Sequence, residues 1–254
     1  MTPPSSPVFD AWLAALEARH LADLRFPEVV RALRALSSTY VERRARLASR
    51  GSLDTDGKRA AFALYYGPVH WLLVQAIARA LPGALAPARR LLDLGCGSGA
   101  AGAAWATLLT PPPAIAGLDL HPWAVREATL TYRHVGLDGE ARRGHAERAR
   151  WPRADAVLAA FLANELGEAD REALLARLLE QAHGGARVLV IEPLSTSVAP
   201  WWPMWADAIV RAGGRADEWR HDVPLPPIVT RLADAAGLRP KGVAGRSLWL
   251  PGRG

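Results

Sequence analysis

The chain has 254 residues, a length that suits one α/β domain with an appendage. Half of its residues are hydrophobic and 22% are charged, as in ordinary soluble globular proteins. No stretch approaches the ~18–20 unbroken apolar residues of a membrane span, and we expect no secretory signal at the N-terminus. Cys96 is the single cysteine, which excludes disulfides within the chain and cysteine-held metal clusters. We therefore expect a cytoplasmic protein that binds neither a membrane nor a metal.

The excess of positive over negative charge is confined to the first third of the chain. The net charge is +6, and residues 1–90 contain thirteen Lys and Arg against seven Asp and Glu, so the remainder is neutral. This asymmetry is typical of a segment that docks on a polyanion such as a nucleic acid. Lysine occurs only at positions 58 and 241, so a general preference for arginine is the alternative explanation.

Residues 1–86 are predicted to form a basic, helical N-terminal segment. Apolar residues recur there at helical spacing and indicate helices over 9–25, 27–50 and 57–81. Pro27 suits the first turn of the second helix, where a missing backbone N–H costs nothing.

Two pairs of side chains in this segment are candidate substrate contacts. Arg43 and Arg44 belong to the solvated end of the second helix, where they would meet phosphates or water. Tyr65 and Tyr66 precede Pro68, whose ring predicts a kink that overlies the ligand site. For the tyrosines, core packing at a helix bend is the alternative.

Residues 91–99, Leu-Leu-Asp-Leu-Gly-Cys-Gly-Ser-Gly, are the most informative stretch of the chain. The apolar run predicts a buried strand, the glycines a tight turn, and the Ala-rich residues that follow a helix. Such a turn lets the backbone approach a nucleotide-like ligand, because a Cβ would hold the ligand off. The glycine spacing by itself also satisfies the dinucleotide-binding pattern.

The acidic residue two positions before Gly95 indicates whether the turn binds a dinucleotide or another nucleotide-like ligand. Together with Gly95, Gly97 and Gly99, Asp93 resembles the first motif of class I S-adenosylmethionine (SAM) methyltransferases. In that family the acidic residue lies near the methionine moiety of the cofactor. A carboxylate there would repel a pyrophosphate and attract an ammonium group, which disfavours an NAD-dependent oxidoreductase. The resemblance implies that SAM is the cofactor and that this turn, including Cys96, holds it.

From residue 87 to the end, predicted strands and helices alternate. The predicted strands cover residues 91–95, 114–120, 141–146, 155–160 and 186–193. This alternation predicts an α/β fold, a parallel sheet with helices on both faces. The SAM family implies a Rossmann-like methyltransferase domain over 87–254, with a seven-stranded, mostly parallel sheet. Its closing antiparallel hairpin would consist of residues 238–244 and 246–250, with Gly245 as the turn.

The ends of the second and third predicted strands supply further cofactor contacts. Asp119 lies about 20 residues beyond the glycine turn and can accept hydrogen bonds from ribose hydroxyls, with Leu120 beside it. His145 and Ala146 end the third strand. The family often has Asp at the position of His145, and a neutral imidazole can still accept a hydrogen bond from the adenine amino group.

The residues after the fourth strand are where the family places the groups that face the transferred methyl. We predict that Phe161 contacts the cofactor and that Asn164 or Glu165 orients or deprotonates the nucleophile. A solvent-facing Glu165 without a chemical role is the alternative. The Asn/Asp-Pro-Pro-aromatic motif of enzymes that methylate amino groups of bases is absent, which counts against exocyclic adenine methylation.

Two adjacent tryptophans, Trp201 and Trp202, follow the fifth strand at the predicted ligand edge of the sheet. Tryptophan rings can stack on a planar substrate, an interaction worth about 1–3 kcal/mol per base. The alternative is that they anchor the next helix in the core.

Several stretches resemble a narrower family, the methyltransferase-like proteins associated with the small ribosomal subunit. They are the helical N-terminal segment and residues 91–99, 161–166, 188–193 and 221–222. Members of that family commonly bear cysteines suited to an iron–sulfur cluster, which this chain lacks. The resemblance implies a methyltransferase that acts on RNA, with small-subunit rRNA as the first candidate. A small-molecule methyltransferase and a non-catalytic, SAM-binding ribosome assembly factor are the alternatives.

Overall fold

The computed structural model describes residues 6–42, 53–195 and 199–252. Its centre is one seven-stranded sheet. In chain order the strands are β1 (Arg90–Leu94), β2 (Ala114–Asp119), β3 (Gly139–Arg143), β4 (Ala156–Ala160), β5 (Arg187–Glu192), β6 (Arg215–His221) and β7 (Val243–Leu250). Their order in the sheet is β3-β2-β1-β4-β5-β7-β6, and only β7 runs antiparallel to its neighbours. The predicted Rossmann-like, mostly parallel α/β sheet is therefore confirmed.

Helices cover both faces of this sheet. The helices of the N-terminal segment are α1 (Pro7–His20), α2 (Phe26–Glu42), α3 (Asp56–Ala61) and α4 (Gly67–Ala80). Those that follow are α5 (Ala100–Ala106), α6 (Pro122–His134), α7 (Glu168–His183), α8 (Trp202–Arg211) and α9 (Pro227–Ala236). In β1, Leu91 packs into the core formed with α4 and α5, whereas Leu92 and Leu94 pack into the core formed with α7 and α8. Every residue of β4 and β5 is buried, as expected for the middle of a parallel sheet.

The N-terminal segment shares a hydrophobic core with the sheet. Trp12 of α1 stacks on Trp71 of α4, with ring centroids 4.9 Å apart. Its indole N–H also donates to the hydroxyl of Thr131 on α6, at 3.2 Å. On the same helix the buried Glu127 pairs with Arg19 at the end of α1. The helices that precede β1 thus pack against the sheet, and the division of the chain at residue 86 stays a prediction.

The predicted kink before Pro68 is a π-helical turn, Phe62–Tyr66, which joins α3 to α4 without a break. Pro68, which has no backbone N–H to donate to the helical ladder, follows this turn at the start of α4. By length and composition the combined stretch Asp56–Ala80 could cross a membrane. Of its most apolar window, 67% is buried against the rest of the structure, as in the core helix of a globular protein.

The last strands differ from the prediction. Gly245 is not a turn: it lies inside one continuous strand, β7, opposite Trp219 of β6. A Cβ on Gly245 would lie 2.9 Å from Cδ2 of Leu73, so glycine is needed for the close approach of α4. The partner strand β6 was not predicted at all, because it is a charged edge strand without apolar alternation.

Candidate functional site

A cleft of about 350 Å³ opens at the carboxyl ends of β1, β2 and β4. The floor and walls come from the glycine turn after β1, the end of β2, the loop after β3 and the segment after β4. The N-terminal segment forms the roof with Leu53, Phe62 and His70. Ligands of open α/β sheets bind at this edge, where neighbouring crossovers diverge.

The glycine turn adopts backbone conformations that side chains disfavour. The φ angles of Gly95, Gly97 and Gly99 are +64°, +52° and +78°, all in the left-handed region. A Cβ on Gly99 would lie 2.8 Å from the Cα of Ala128, so the turn also lets α6 approach. The thiol of Cys96 is buried, and this burial raises its pKa, so we assign it no reactivity.

Asp119 fixes the turn from the end of β2. One carboxylate oxygen accepts a hydrogen bond from the backbone N–H of Gly97, at 2.9 Å, and the other from that of His121, at 2.8 Å. Each oxygen has a further lone pair, so the carboxylate can also accept hydrogen bonds from a ligand in the cleft. Leu120 lines the cleft beside it.

Asp93 lies beneath the turn and is not among the residues that line the cleft. It is 1% exposed, and its Oδ2 accepts a hydrogen bond from the hydroxyl of Tyr132, at 2.8 Å. Its Oδ1 has no hydrogen-bond partner among the described residues. Burial raises the pKa of Asp93 to about 7, against the hydrogen bond from Tyr132. The carboxylate thus lies beneath the turn and binds α6 through Tyr132. Its contact with a ligand stays a prediction.

After β3, the hydrogen-bond acceptor that lines the cleft is Glu147 and not the predicted His145. The imidazole of His145 is nearly half exposed and does not line the cleft; its Nδ1 lies 2.9 Å from Oε1 of Glu147. Glu147 is buried and lines the cleft, as does Ala146. A carboxylate is a stronger acceptor for an amino group than a neutral imidazole. Sequence reasoning missed Glu147 because it lies two residues beyond the strand-end position of the family pattern.

After β4, an aromatic pair closes the cleft. Phe161 has φ +60°, the only positive value of a non-glycine residue among those described. Its ring stacks on that of His70 from α4, with centroids 3.9 Å apart and planes 18° from parallel. Burial in these surroundings lowers the pKa of His70 to about 3, so the imidazole is neutral at ordinary pH.

The two predicted catalytic residues have different surroundings. Glu165 lines the cleft. Desolvation by the surrounding protein is the main cause that raises its pKa to about 7, and the negative charge of Asp119 raises it further. By its accessible surface, however, the residue is exposed. Asn164 does not line the cleft, because its side-chain amide donates to the carboxylate of Glu192, a fully buried residue at the end of β5. The geometry therefore favours Glu165 over Asn164 as the reactive group.

The predicted substrate contacts lie away from the cleft. Tyr65 is buried, and its neighbour Tyr66 packs against Phe62 and His70 behind the cleft lining. Trp201 is 7% exposed in the core between α7 and α8. Trp202 covers the guanidinium of Arg246, 4.2 Å from its ring centroid. The tryptophans thus pack within the protein, which corrects the stacking interpretation.

Arg43 and Arg44 lie outside the residues that the structure describes.

The family comparison identifies the domain that contains this cleft. Residues 91–184 match a family profile described as "Methyltransferase domain". This part of the chain is a methyltransferase domain. It includes the glycine turn and the three acidic residues that line the cleft, Asp119, Glu147 and Glu165.

Solved structures of methyltransferases share the architecture of the chain. The structure of mitomycin 7-O-methyltransferase MmcR is 16% identical with a TM-score of 0.54, and the alignment covers 97% of this chain and 73% of MmcR. An O-methyltransferase family protein from Burkholderia thailandensis is 16% identical with a TM-score of 0.54, covering 98% and 72%. The plantazolicin methyltransferase BpumL, in complex with S-adenosylhomocysteine (SAH), is 12% identical with a TM-score of 0.55, covering 85% and 97%. No curated protein matches the chain in a sequence search.

SAM fits the residues of this methyltransferase domain. The left-handed glycines leave the cradle free of Cβ atoms, and Asp119 retains acceptor capacity beside it. Asp93, whose Oδ1 has no hydrogen-bond partner among the described residues, lies beneath the turn, and in its ionised form it favours a cationic ligand. The predictions of a SAM-dependent methyltransferase and of SAM as its cofactor are confirmed. The narrower resemblance, to proteins of the small ribosomal subunit, stays a prediction.

Sequence reasoning placed this helical segment over the ligand site but named Tyr65 and Tyr66, whereas Phe62 and His70 are the side chains that line the methyltransferase cleft. Phe62 and His70 come from helices that precede the domain by tens of residues, and only tertiary packing brings them to the turn. The π-helical turn that begins at Phe62 has no distinct sequence signature. Within the described residues, no group of three His, Cys, Asp or Glu side chains is placed to hold a metal ion.

Proposed function

We propose that this methyltransferase transfers the methyl group of SAM to a hydroxyl oxygen of a small-molecule acceptor. The observation that carries the proposal is the position of Glu165, whose carboxylate lies in the same cleft as the glycine turn. Support comes from the shared fold, since two O-methyltransferase structures align with 97% and 98% of the chain, N-terminal helices included. The proposal adopts the alternative of the sequence analysis.

The size and cover of the cleft favour a small acceptor. Its volume of about 350 Å³ is at the lower end of the range for ligand pockets, about 300–1,000 Å³. Leu53, Phe62 and His70 cover the glycine turn from the N-terminal side. Because the cofactor itself takes up much of this volume, only a compact acceptor group can reach the glycine turn under this cover.

Glu165 is suited to act as a general base. A base works best when its pKa lies near the operating pH, and the pKa of Glu165 is raised to about 7. When bound, SAM would supply an electrophilic methyl group and a sulfide leaving group. The carboxylate of Glu165 would accept the proton of the acceptor hydroxyl, whose oxygen would take the methyl group while the sulfide leaves with the bonding electron pair.

The prediction of an RNA partner rests on the excess positive charge of residues 1–90. Part of that charge, including Arg43 and Arg44, lies outside the described residues. Within the described part, several cations have acidic partners. They are Arg19 with Glu127, Lys58 with Asp54 and Arg59 with Asp56. This local pairing weakens the case for a phosphate-binding surface, and RNA methylation stays the competing outcome of the test.

The test uses purified protein, methyl-labelled SAM, a panel of small hydroxyl-bearing acceptors and, in parallel, total RNA. We expect label in a small acceptor, and a loss of about 100-fold or more in kcat for Glu165→Gln, the usual range for removing a general base. The matched control is Glu168→Gln, the same change at an exposed position three residues on. Label in RNA alone, or full activity of Glu165→Gln, would contradict the proposal.

A further inference from the structure

The turn that carries Glu165 is bound from below by a buried carboxylate. Glu192 is 0% exposed, and its Oε1 accepts hydrogen bonds from the backbone N–H groups of Ala163, at 2.8 Å, and Asn164, at 3.4 Å. Its other oxygen accepts from the side-chain amide of Asn164. The last strand position of β5 is thereby tied to the 3₁₀ turn Ala163–Glu165 that follows β4.

The same turn is bound from the other side by a guanidinium. Arg171, on α7, donates from Nε to the carbonyl of Ala163, at 3.1 Å, and from Nη2 to that of Leu166, at 2.6 Å. The N–H of Ala163 thus donates to Glu192, and its carbonyl accepts from Arg171. A single 3₁₀ turn has few hydrogen bonds of its own, so the hydrogen bonds to Glu192 and Arg171 fix its orientation.

The two tryptophans singled out by sequence cover the arginines of this arrangement. The guanidinium of Arg171 lies 5.4 Å from the ring centroid of Trp201, and that of Arg246 lies 4.2 Å from the ring centroid of Trp202. Arg246 is 2% exposed and pairs in register with Glu192 across β5 and β7. Aromatic faces hold guanidinium groups in place by cation–π attraction.

Burial of the Glu192 carboxyl group lowers the stability of the fold. Burial raises the pKa of Glu192 to about 8, against the lowering by the N–H groups of Ala163 and Asn164 and by Arg246. An apolar residue at the end of a buried strand would pack without that desolvation cost. The buried carboxylate is therefore explained by what it holds, which is the turn next to the cleft.

We propose that Arg171 and Glu192 are positioning residues that aim the carboxylate of Glu165 at the acceptor hydroxyl. The inference rests on the proposed function, in which Glu165 is the base. Neither residue lines the cleft, so both act through the turn. The tryptophan pair then serves catalysis by holding the arginines rather than by stacking on the substrate.

The chain offers a matched contrast on the same helix. Arg177 also binds two backbone carbonyls, those of Ala146 at 3.1 Å and Ala149 at 2.6 Å, and lies 3.9 Å from the ring centroid of Trp151. Unlike Arg171, Arg177 binds the loop after β3, on the side of the cleft where we expect the cofactor. Arg171→Met and Arg177→Met therefore remove the same kind of contact from two different walls.

The experiment compares kcat, KM and the calorimetric Kd of SAH for these variants. We expect Arg171→Met to lower kcat by about 10- to 100-fold, the usual result of misplacing a reacting group, with the Kd of SAH within about twofold. Arg177→Met should instead weaken SAH binding and leave kcat at saturating SAM near the wild-type value. Arg171→Lys should restore only part of kcat, because an ammonium cannot donate to both carbonyls in the fork geometry.

Asn164→Ala is the second variant, since it removes one hydrogen bond to Glu192 at a partly exposed position and is expected to fold. It should lower kcat several-fold without changing the Kd of SAH. Unchanged kcat in both Arg171→Met and Asn164→Ala, with Glu165→Gln inactive, would overturn this inference and leave the proposed function standing. Parallel losses of kcat and SAH affinity in Arg171→Met would also overturn it. Full activity of Glu165→Gln would remove the proposed function itself.

Discussion

The carboxylate of Asp119 accepts a hydrogen bond from the backbone N–H of Gly97, at 2.9 Å, and so ties the end of β2 to the glycine turn after β1. One side chain thus shapes the cradle and also faces the cleft. This double role explains why an acidic residue is needed here, since no apolar side chain would satisfy the N–H of Gly97 or accept from a ribose hydroxyl.

Asp119→Ala should weaken SAH binding by about 100-fold. Hydrogen bonds to charged groups contribute about 1.5–3 kcal/mol each, and about 1.4 kcal/mol is a factor of ten in Kd. Isothermal titration calorimetry measures the change directly. Asp138→Ala, at an exposed position before β3, is the control and should bind as the wild type does. Equal affinity in the two variants would show that Asp119 does not contact the ligand.

Gly99→Ala should destabilise the protein by more than Gly83→Ala. Both glycines have left-handed φ angles, +78° and +75°, so both alanines incur about 1–2 kcal/mol of backbone strain. A Cβ on Gly99 also meets the Cα of Ala128 at 2.8 Å, whereas nothing lies within 4 Å of one on Gly83. We expect an extra loss of about 1 kcal/mol or more for Gly99→Ala in urea unfolding. Equal losses would mean that α6 moves away freely.

Asp93→Asn should stabilise the protein more at pH 8 than at pH 5. The pKa of Asp93 is raised to about 7 in the folded state, mainly by burial, from an ordinary value near 4. The folded state therefore holds a proton that the unfolded state has lost, and the free energy of unfolding falls as pH rises toward 7. Asparagine has no charge to bury. The difference between variant and wild type should grow by more than about 1 kcal/mol between the two pH values; a constant difference would contradict the raised pKa.

The rate of methyl transfer should lose a factor of ten per pH unit below about pH 7. The base must be ionised to accept the acceptor's proton, and the pKa of Glu165 is raised to about 7. In a profile of kcat/KM against pH, Glu165→Gln should lack this acid limb. His70→Asn should retain it, because the pKa of His70, lowered to about 3, puts its titration outside the range. An acid limb that survives in Glu165→Gln would assign it to another group.

Sequence alone predicts those parts of the site that depend on local geometry. The glycine turn follows from residues 95–99, because only glycine tolerates the left-handed φ angles there. Asp119 follows from its position at the end of a strand one crossover later. The strand and helix alternation gives the parallel sheet because buried parallel strands are almost wholly apolar.

The rest of the site depends on contacts that no local pattern records. His70 reaches the cleft only because α4 packs on α5, and Trp201 leaves it because its ring packs in the core on the face of α7 and α8. Glu192 stands at a strand end like Asp119, yet its carboxylate binds a neighbouring turn instead of facing the cleft. Strand ends share a position in the fold, and tertiary packing decides which side chains face the ligand.

Calorimetric titration of the purified protein with SAH and, separately, with NADH shows which class of ligand the cleft binds. We predict saturable binding of SAH, abolished or strongly weakened in Asp119→Ala, and no binding of NADH, whose pyrophosphate would meet the negative potential of Asp93 and Asp119. Tight binding of NADH together with no binding of SAH would contradict this prediction.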